Sequence, residues 1–245
     1  MTIARIYQAI PLSIHSVITL DAGASHHLAS VLRANINDKI TLFNGEGGEF
    51  AGIIAAIEKK KVTVKIEAYH PRVAESPLEI CLAQGISRGE KMDFTIQKAV
   101  ELGVSQIVPL FTERCNVKLD ADRSQKRVEH WQSIIISASE QSGRNILAKL
   151  EPPQMLTRWI GSVQMDQGFV LAPTSEQKLN SFSLQKKARV ILLIGPEGGL
   201  SENEIKLAVQ KNFAPLNLGP RILRTETAGI AAITALQCYF GDMTN

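Results

Sequence analysis

The chain has 245 residues, with 27 Lys and Arg against 24 Asp and Glu, a formal net charge of +3 and 44% hydrophobic residues. This is enough to bury one large core or two modest ones, and it excludes a disulfide-stapled miniprotein, a collagen-like or low-complexity chain and a long disordered tail. No apolar run exceeds the length of Val190–Ile194, far short of the roughly 20 residues of a membrane helix. Arg5, Gln8 and His15 interrupt the N-terminal stretch, so no secretory signal is expected and the default compartment is the cytoplasm.

Cys81, Cys115 and Cys238 are widely separated, form no CxxC pair and have no histidine at metal-ligand spacing. They read as small hydrophobes, and no metal site is expected.

Residues 1–70 read as a small antiparallel β-barrel. Alternation marks strands at Lys39–Asn44, Glu49–Ile57 and Val62–Tyr69, with a glycine turn at Gly45–Gly48. A short helix is expected before them, capped by Ser25 and carrying Leu28, Val31 and Leu32 up to Arg33. Lys59–Lys61 reads as a solvated hairpin tip. Residues 71–77, with two prolines in HPRVAESP, read as a linker.

From Leu78 the pattern becomes apolar strands alternating with amphipathic helices, the signature of an α/β domain with a mainly parallel sheet over residues 78–245. Leu78–Ala83 is the first strand. Lys91–Leu102 follows as a helix with Met92, Ile96 and Val100 on one face, ending at Gly103. Ile107–Phe111 is a strand, and Ser124–Ser142 a helix with Val128, Trp131, Ile135 and Ala138 aligned. Phe169–Ala172 and Val190–Ile194 are wholly apolar, as strands covered on both faces are. Ser201 and Glu204 have the spacing of a capping box. Pro215–Leu218 is a last strand and Glu226–Phe240 a last helix, for which Thr225 or Thr227 is the expected cap.

Two loops punctuate this pattern with the same grammar. Gly195-Pro196-Glu197-Gly198-Gly199 closes one strand, and Gly219-Pro220-Arg221-Ile222-Leu223-Arg224 closes another. Open α/β sheets bind ligands at the carboxyl ends of their strands, so the two turns point to one cleft. Neither loop has the spacing of a dinucleotide fingerprint or a P-loop, and a carboxylate at Glu197 opposes an anionic ligand. The segment Glu140–Asn145 alone reads as a glycine helix end with Arg144 favoured near the negative pole.

Taken together, IGPEGGLSENE at 194–204, LGPRILRTETA at 218–228, KAVELGV at 98–104 and EQSGRN at 140–145 resemble the SPOUT-type knotted methyltransferases. More narrowly, the set is similar to the bacterial family that methylates N3 of a uridine in small-subunit (16S) ribosomal RNA. Residues 26–50 resemble that family's PUA-like RNA-binding barrel. Ser142 stands where many members have cysteine, which argues against an essential thiol there.

The resemblance implies a C-terminal domain tied in a trefoil knot that holds S-adenosylmethionine, a homodimer, and the small ribosomal subunit as partner; on the residues themselves, neither membrane nor metal is expected. Leu171, Ala172, Gly195, Pro196, Glu197, Gly198, Leu218, Gly219, Ile222 and Leu223 would hold the cofactor. Arg144 and Arg224 would stabilise charge on the uracil, and Glu197 or Glu226 would take the N3 proton or orient an arginine. Arg33, Arg5, Lys60 and Arg221 would contact RNA. Two other classes stay open on the residues alone: a non-catalytic RNA-binding or assembly factor with the same fold, and an α/β enzyme that binds a nucleotide or phosphate.

Overall fold

In a computed structural model that describes residues 3–59, 61–117, 120–185 and 187–244, the chain divides into two compact units. One comprises the N-terminal residues through Glu75 together with Ser139–Leu147; the other comprises Ser76–Ala138 and the residues from Ala148 onward. The first unit therefore takes in most of the segment expected as linker, and a piece of the expected α/β domain as well.

In the first unit, β1 (Ala4–Tyr7), β2 (Val17–Thr19), β3 (Lys39–Phe43), β4 (Glu49–Glu58) and β5 (Lys61–His70) form one sheet in the order β1-β3-β4-β5-β2. The three longer strands are those expected. They bury every second side chain, with Ile40 and Leu42 from β3 and Val62, Val64 and Ile66 from β5 in the core beside Leu28 and Ile54. The sheet is not wholly antiparallel, because β1 runs parallel to β3.

The helix α1 (Ala22–His26) continues into one π-helical turn at His27–Val31. Its cap is Asp21, which accepts from the Ala24 amide at 2.9 Å. Ser25, the expected cap, is buried inside the helix, where its hydroxyl donates to the Leu20 carbonyl and accepts from the Val62 amide. Leu28 faces the core, whereas Val31 and Leu32 are exposed.

A polar network closes this unit. Arg5 donates to Glu49 and to Asn145 Oδ1, each at 2.5 Å, and Arg72 donates to Glu49 at 3.3 Å and to the Gly143 carbonyl at 2.9 Å. Burial pushes the Glu49 carboxyl up, but Arg5 and Arg72 outweigh it and hold the group below its ordinary 4.5. A depressed carboxylate contributes stability that is present above its unfolded value and lost as pH falls through the folded one. The expected result is that Glu49→Gln is less stable than the parent at neutral pH and that the gap narrows below about pH 4.5, read by urea unfolding at a series of pH values. A gap that stays constant with pH would contradict this assignment. The comparison between variants is needed because Glu140, which burial pushes up despite the hydrogen bond from the Tyr7 amide, contributes with the opposite sign.

The second unit holds β6 (Glu79–Gly85), α2 (Glu90–Glu101), β7 (Gln106–Phe111), α3 (Ala121–Ser142, whose last turn belongs to the first unit), β8 (Lys149–Leu150), β9 (Gln154–Met155), α4 (Leu156–Trp159), β10 (Gln167–Leu171), β11 (Arg189–Ile194), α5 (Glu202–Gln210), β12 (Phe213–Leu216) and α6 (Thr225–Phe240). The strands lie in the order β12-β10-β11-β6-β7-β8, with β9 also on β7, and all pairs are parallel. The apolar run of β11 sits in the middle, buried from Val190 to Ile194. Met92, Ile96 and Val100 are buried on α2, as their spacing requires, and Trp131, Ile135 and Ala138 on α3.

Both helices end at glycines with positive φ, Gly103 and Gly143, and α5 starts on the full capping box of Ser201 and Glu204. Cys81 is buried, and burial pushes its thiol up to about 12. Among the described residues, no helix is long and apolar enough to cross a membrane, and no cluster of three or more potential ligands could hold a metal.

After β12, at one edge of the sheet, the chain returns to its centre. The Thr225 hydroxyl, expected to cap α6, instead donates to the Gly195 carbonyl at 2.6 Å and accepts from Gln84 Nε2 at 2.9 Å. Gln84 is fully buried at the carboxyl end of β6 and also donates to the carbonyls of Gly85 and Gly195. One amide thus ties together the ends of β6, β11 and the approach to α6.

Candidate active site

The carboxyl ends of the central strands open into a cavity of about 480 Å³, within the roughly 300–1,000 Å³ of small-molecule sites. The loop after β11 supplies Gly195, Pro196, Glu197 and Gly198, the loop before α6 supplies Ile222, Leu223 and Arg224, and β10 supplies Leu171. A smaller cavity of about 60 Å³ shares Leu171 and Leu223 and adds Ala172, Leu218 and Arg221. The first glycine-proline turn and the residues that follow the second, far apart in sequence, therefore line one recess. Gly219 lines neither cavity; its amide donates to Asn217 Oδ1 at 2.7 Å and it holds positive φ, which shapes the turn.

Steric fit explains Gly195 and Gly198 after β11, and a φ of +70° explains Gly199. A Cβ on Gly195 would lie 2.6 Å from both the Gly199 carbonyl carbon and the Leu200 nitrogen, and one on Gly198 would lie 3.0 Å from Arg114 Cβ. The turn is closed by the Gly199 amide donating to the Pro196 carbonyl at 2.8 Å.

The two carboxylates of the cavity differ. Glu197 accepts from the Arg88 amide at 3.1 Å and lies 3.6 Å from Lys91 Nζ. Burial pushes it up, but those groups outweigh burial and hold it below the ordinary carboxylate range. It is a committed anion and a poor base. Glu226, in the first turn of α6, keeps Oε2 out of water with no hydrogen-bond partner among the described residues. Such an oxygen is costly unless a positive group or a hydrogen donor of a ligand faces it.

The arginines separate as well. Arg224 caps α6 with its backbone, its side chain is exposed on the cavity, and the guanidinium has no partner among the described residues. Arg221 is exposed at the smaller cavity. Arg144 is only 3% exposed and lies in the first unit, where Nε donates to Glu75 at 3.0 Å and Nη2 pairs with the same carboxylate.

Of the residues expected on RNA, Arg33 is exposed at φ +51°, while Arg5 is engaged by Glu49 and Asn145. Lys60 lies outside the described residues. Sequence reading missed Arg114 and Lys91, which line the cavity, and Gln84 behind it. No local pattern marks them: Lys91 stands in the first turn of α2, Arg114 on a turn after β7 and Gln84 at the end of β6.

The sequence profile of an RNA methyltransferase domain matches residues 74–237, and that of an RNA methyltransferase PUA domain matches residues 20–67. The ribosomal RNA small subunit methyltransferase E of Buchnera aphidicola subsp. Schizaphis graminum is 42% identical over 243 residues, covering 99% of this chain and 98% of the relative. A methyltransferase structure from Legionella pneumophila with bound SAM superposes with a TM-score of 0.96 at 41% identity, covering 99% of this chain and all of that one. The corresponding ribosomal RNA small subunit methyltransferase E of Neisseria gonorrhoeae, bound to S-adenosyl methionine, gives 0.92 at 37% identity over 99% of this chain and all of its own.

Proposed function

We propose, for a chain that belongs to the RNA methyltransferase family and within it to the ribosomal RNA small subunit methyltransferases E, that it methylates N3 of a uridine in small-subunit ribosomal RNA with S-adenosylmethionine as donor. The observation that carries the reading is the cavity built by the loops after β10, β11 and β12. Its contents fit that cofactor: the unpaired Glu226 oxygen suits a cation, Ile222, 88% exposed at the rim, offers apolar cover for an aromatic ring, and the turns lack a phosphate cradle. Leu171, Ala172, Gly195, Pro196, Gly198, Leu218 and Leu223 form the holding walls in this reading, with Gly219 shaping the last turn. When bound, the cofactor supplies an electrophilic methyl group on a sulfonium centre.

The chain's own residues then divide the remaining work. N3 must lose its proton as it gains carbon. Glu226, with spare acceptor capacity, is the carboxylate assigned to receive that proton, and Glu197 is assigned to holding Lys91 and the turn at Arg88. Arg224 is assigned to the charge that develops on the uracil oxygens, since a guanidinium in place before reaction needs no reorganisation. Arg144, held by Glu75, is assigned to bracing the segment 139–147. A base paired in a duplex hides N3, so the target is an unstacked or flipped nucleotide. Arg33, with Arg221 and Lys60, would steer the RNA. The trefoil knot, the homodimer and the cytoplasm as workplace belong to this reading through the family resemblance.

The test incubates the purified chain with methyl-labelled S-adenosylmethionine and small-subunit ribosomal RNA, followed by nucleoside analysis. Label in N3-methyluridine is expected. Label in a ribose 2′-oxygen or in guanine would replace the target atom. Absence of any heat of cofactor binding in calorimetry would favour a non-catalytic RNA-binding factor.

A further inference from the structure

Arg114 belongs to the cavity but to none of the motifs that define it. It stands on the turn after β7, and two contacts fix that turn. Glu204, 2% exposed, accepts from the Ser201 amide with one carboxylate oxygen and from the Glu113 amide with the other, both at 2.8 Å. The capping glutamate of α5 therefore also anchors the turn that carries Arg114. On the cavity side, Arg114 Nη1 donates to the Gly198 carbonyl at 3.2 Å, and the side chain is exposed.

An arginine tethered by one N–H presents its others in a fixed fork, the geometry that matches phosphate oxygens. Charges at the rim favour such a ligand. Lys91, Arg114 and Arg224 line the cavity together with Glu197 and Glu226, and Glu197 is already matched by Lys91. Two guanidinium groups are left against one uncommitted carboxylate.

We infer that Arg114 forms a phosphate subsite at the mouth of this cavity, taking a backbone phosphate of the RNA at or beside the target nucleotide. The inference rests on the function proposed above and adds to it where the strand is gripped. Phosphate chemistry is common to RNA and to free inorganic phosphate, so the experiment separates the two.

Binding of the full chain to protein-free small-subunit ribosomal RNA is measured over a salt series for the parent, Arg114→Ala and Arg114→Lys, with S-adenosylmethionine affinity followed by calorimetry. In Arg114→Ala, the slope of log K against log salt should shrink by about 0.7–0.9, the value for one lost phosphate contact. Arg114→Lys should restore it, and in Arg114→Ala cofactor affinity should fall by less than RNA affinity does. An unchanged slope with weakened cofactor binding would overturn the inference, leaving Arg114 as a brace for the Gly198 turn. An unchanged slope, together with inorganic phosphate displacing RNA better than chloride at matched ionic strength, would overturn it in favour of a small-anion site. If the slope shrinks as expected in Arg114→Ala but the parent transfers no methyl group, the proposed function fails while the subsite stands.

Discussion

Gly195→Ala is expected to weaken S-adenosylmethionine binding by roughly ten- to a hundredfold, the equivalent of the 1–3 kcal/mol that an added methyl costs in a packed site. The added Cβ would lie 2.6 Å from two backbone atoms, the Gly199 carbonyl carbon and the Leu200 nitrogen, so no side-chain rotation can make room. The turn itself must move. The Gly195 carbonyl also receives the Thr225 hydroxyl and Gln84 Nε2, and a shift there loosens the loop after β11 from the start of α6 as well. Calorimetric titration of the variant reads the loss, and a thermal melt checks that the second unit still folds. Parent-like affinity would remove this turn from the cofactor site. The sequence alone places this glycine in a turn that closes a strand; only the structure shows that a side chain there would collide with the loop's own backbone.

That difference illustrates what was legible in the sequence. Local periodicity sufficed where one face of an element meets one core, as for Met92, Ile96 and Val100 on α2, and where a cap is a fixed local spacing, as for Ser201 and Glu204. It failed where the partner is distant in the chain. The parallel pairing of β1 with β3 leaves no local mark on Ala4–Tyr7. Ser25 and Thr225 both have the chemistry of caps, yet each hydroxyl is drawn to groups on other segments, Val62 for one and Gly195 for the other. The two glycine-proline loops were readable because backbone constraint fixes the residue type. Arg114 and Gln84 were not, because an arginine on a turn or a glutamine ending a strand acquires its role only from what the fold places beside it.

The two arginines of the motifs differ in surroundings that the sequence does not show. Motif resemblance put Arg144 and Arg224 on an equal footing, whereas the structure buries Arg144 and pairs it with the partly exposed Glu75, and leaves Arg224 exposed on the cavity without a partner among the described residues. A guanidinium already neutralised has less to offer a developing negative charge than one that is not. Arg224→Ala is therefore expected to lower the rate of methyl transfer at saturating cofactor by about 10²–10³, the range for loss of one preorganised donor at a charged transition state. Cofactor affinity should hold, since the backbone of Arg224, which accepts from the Ala228 amide at 2.8 Å, keeps the first turn of α6 closed in the variant. Single-turnover kinetics and calorimetry on the same preparation separate the two quantities. Arg224→Lys should recover part of the rate, because an ammonium supplies the charge but not the planar fork. Equal losses of rate and cofactor affinity would instead make Arg224 a wall of the cavity, and the charge-stabilising role would pass to another arginine.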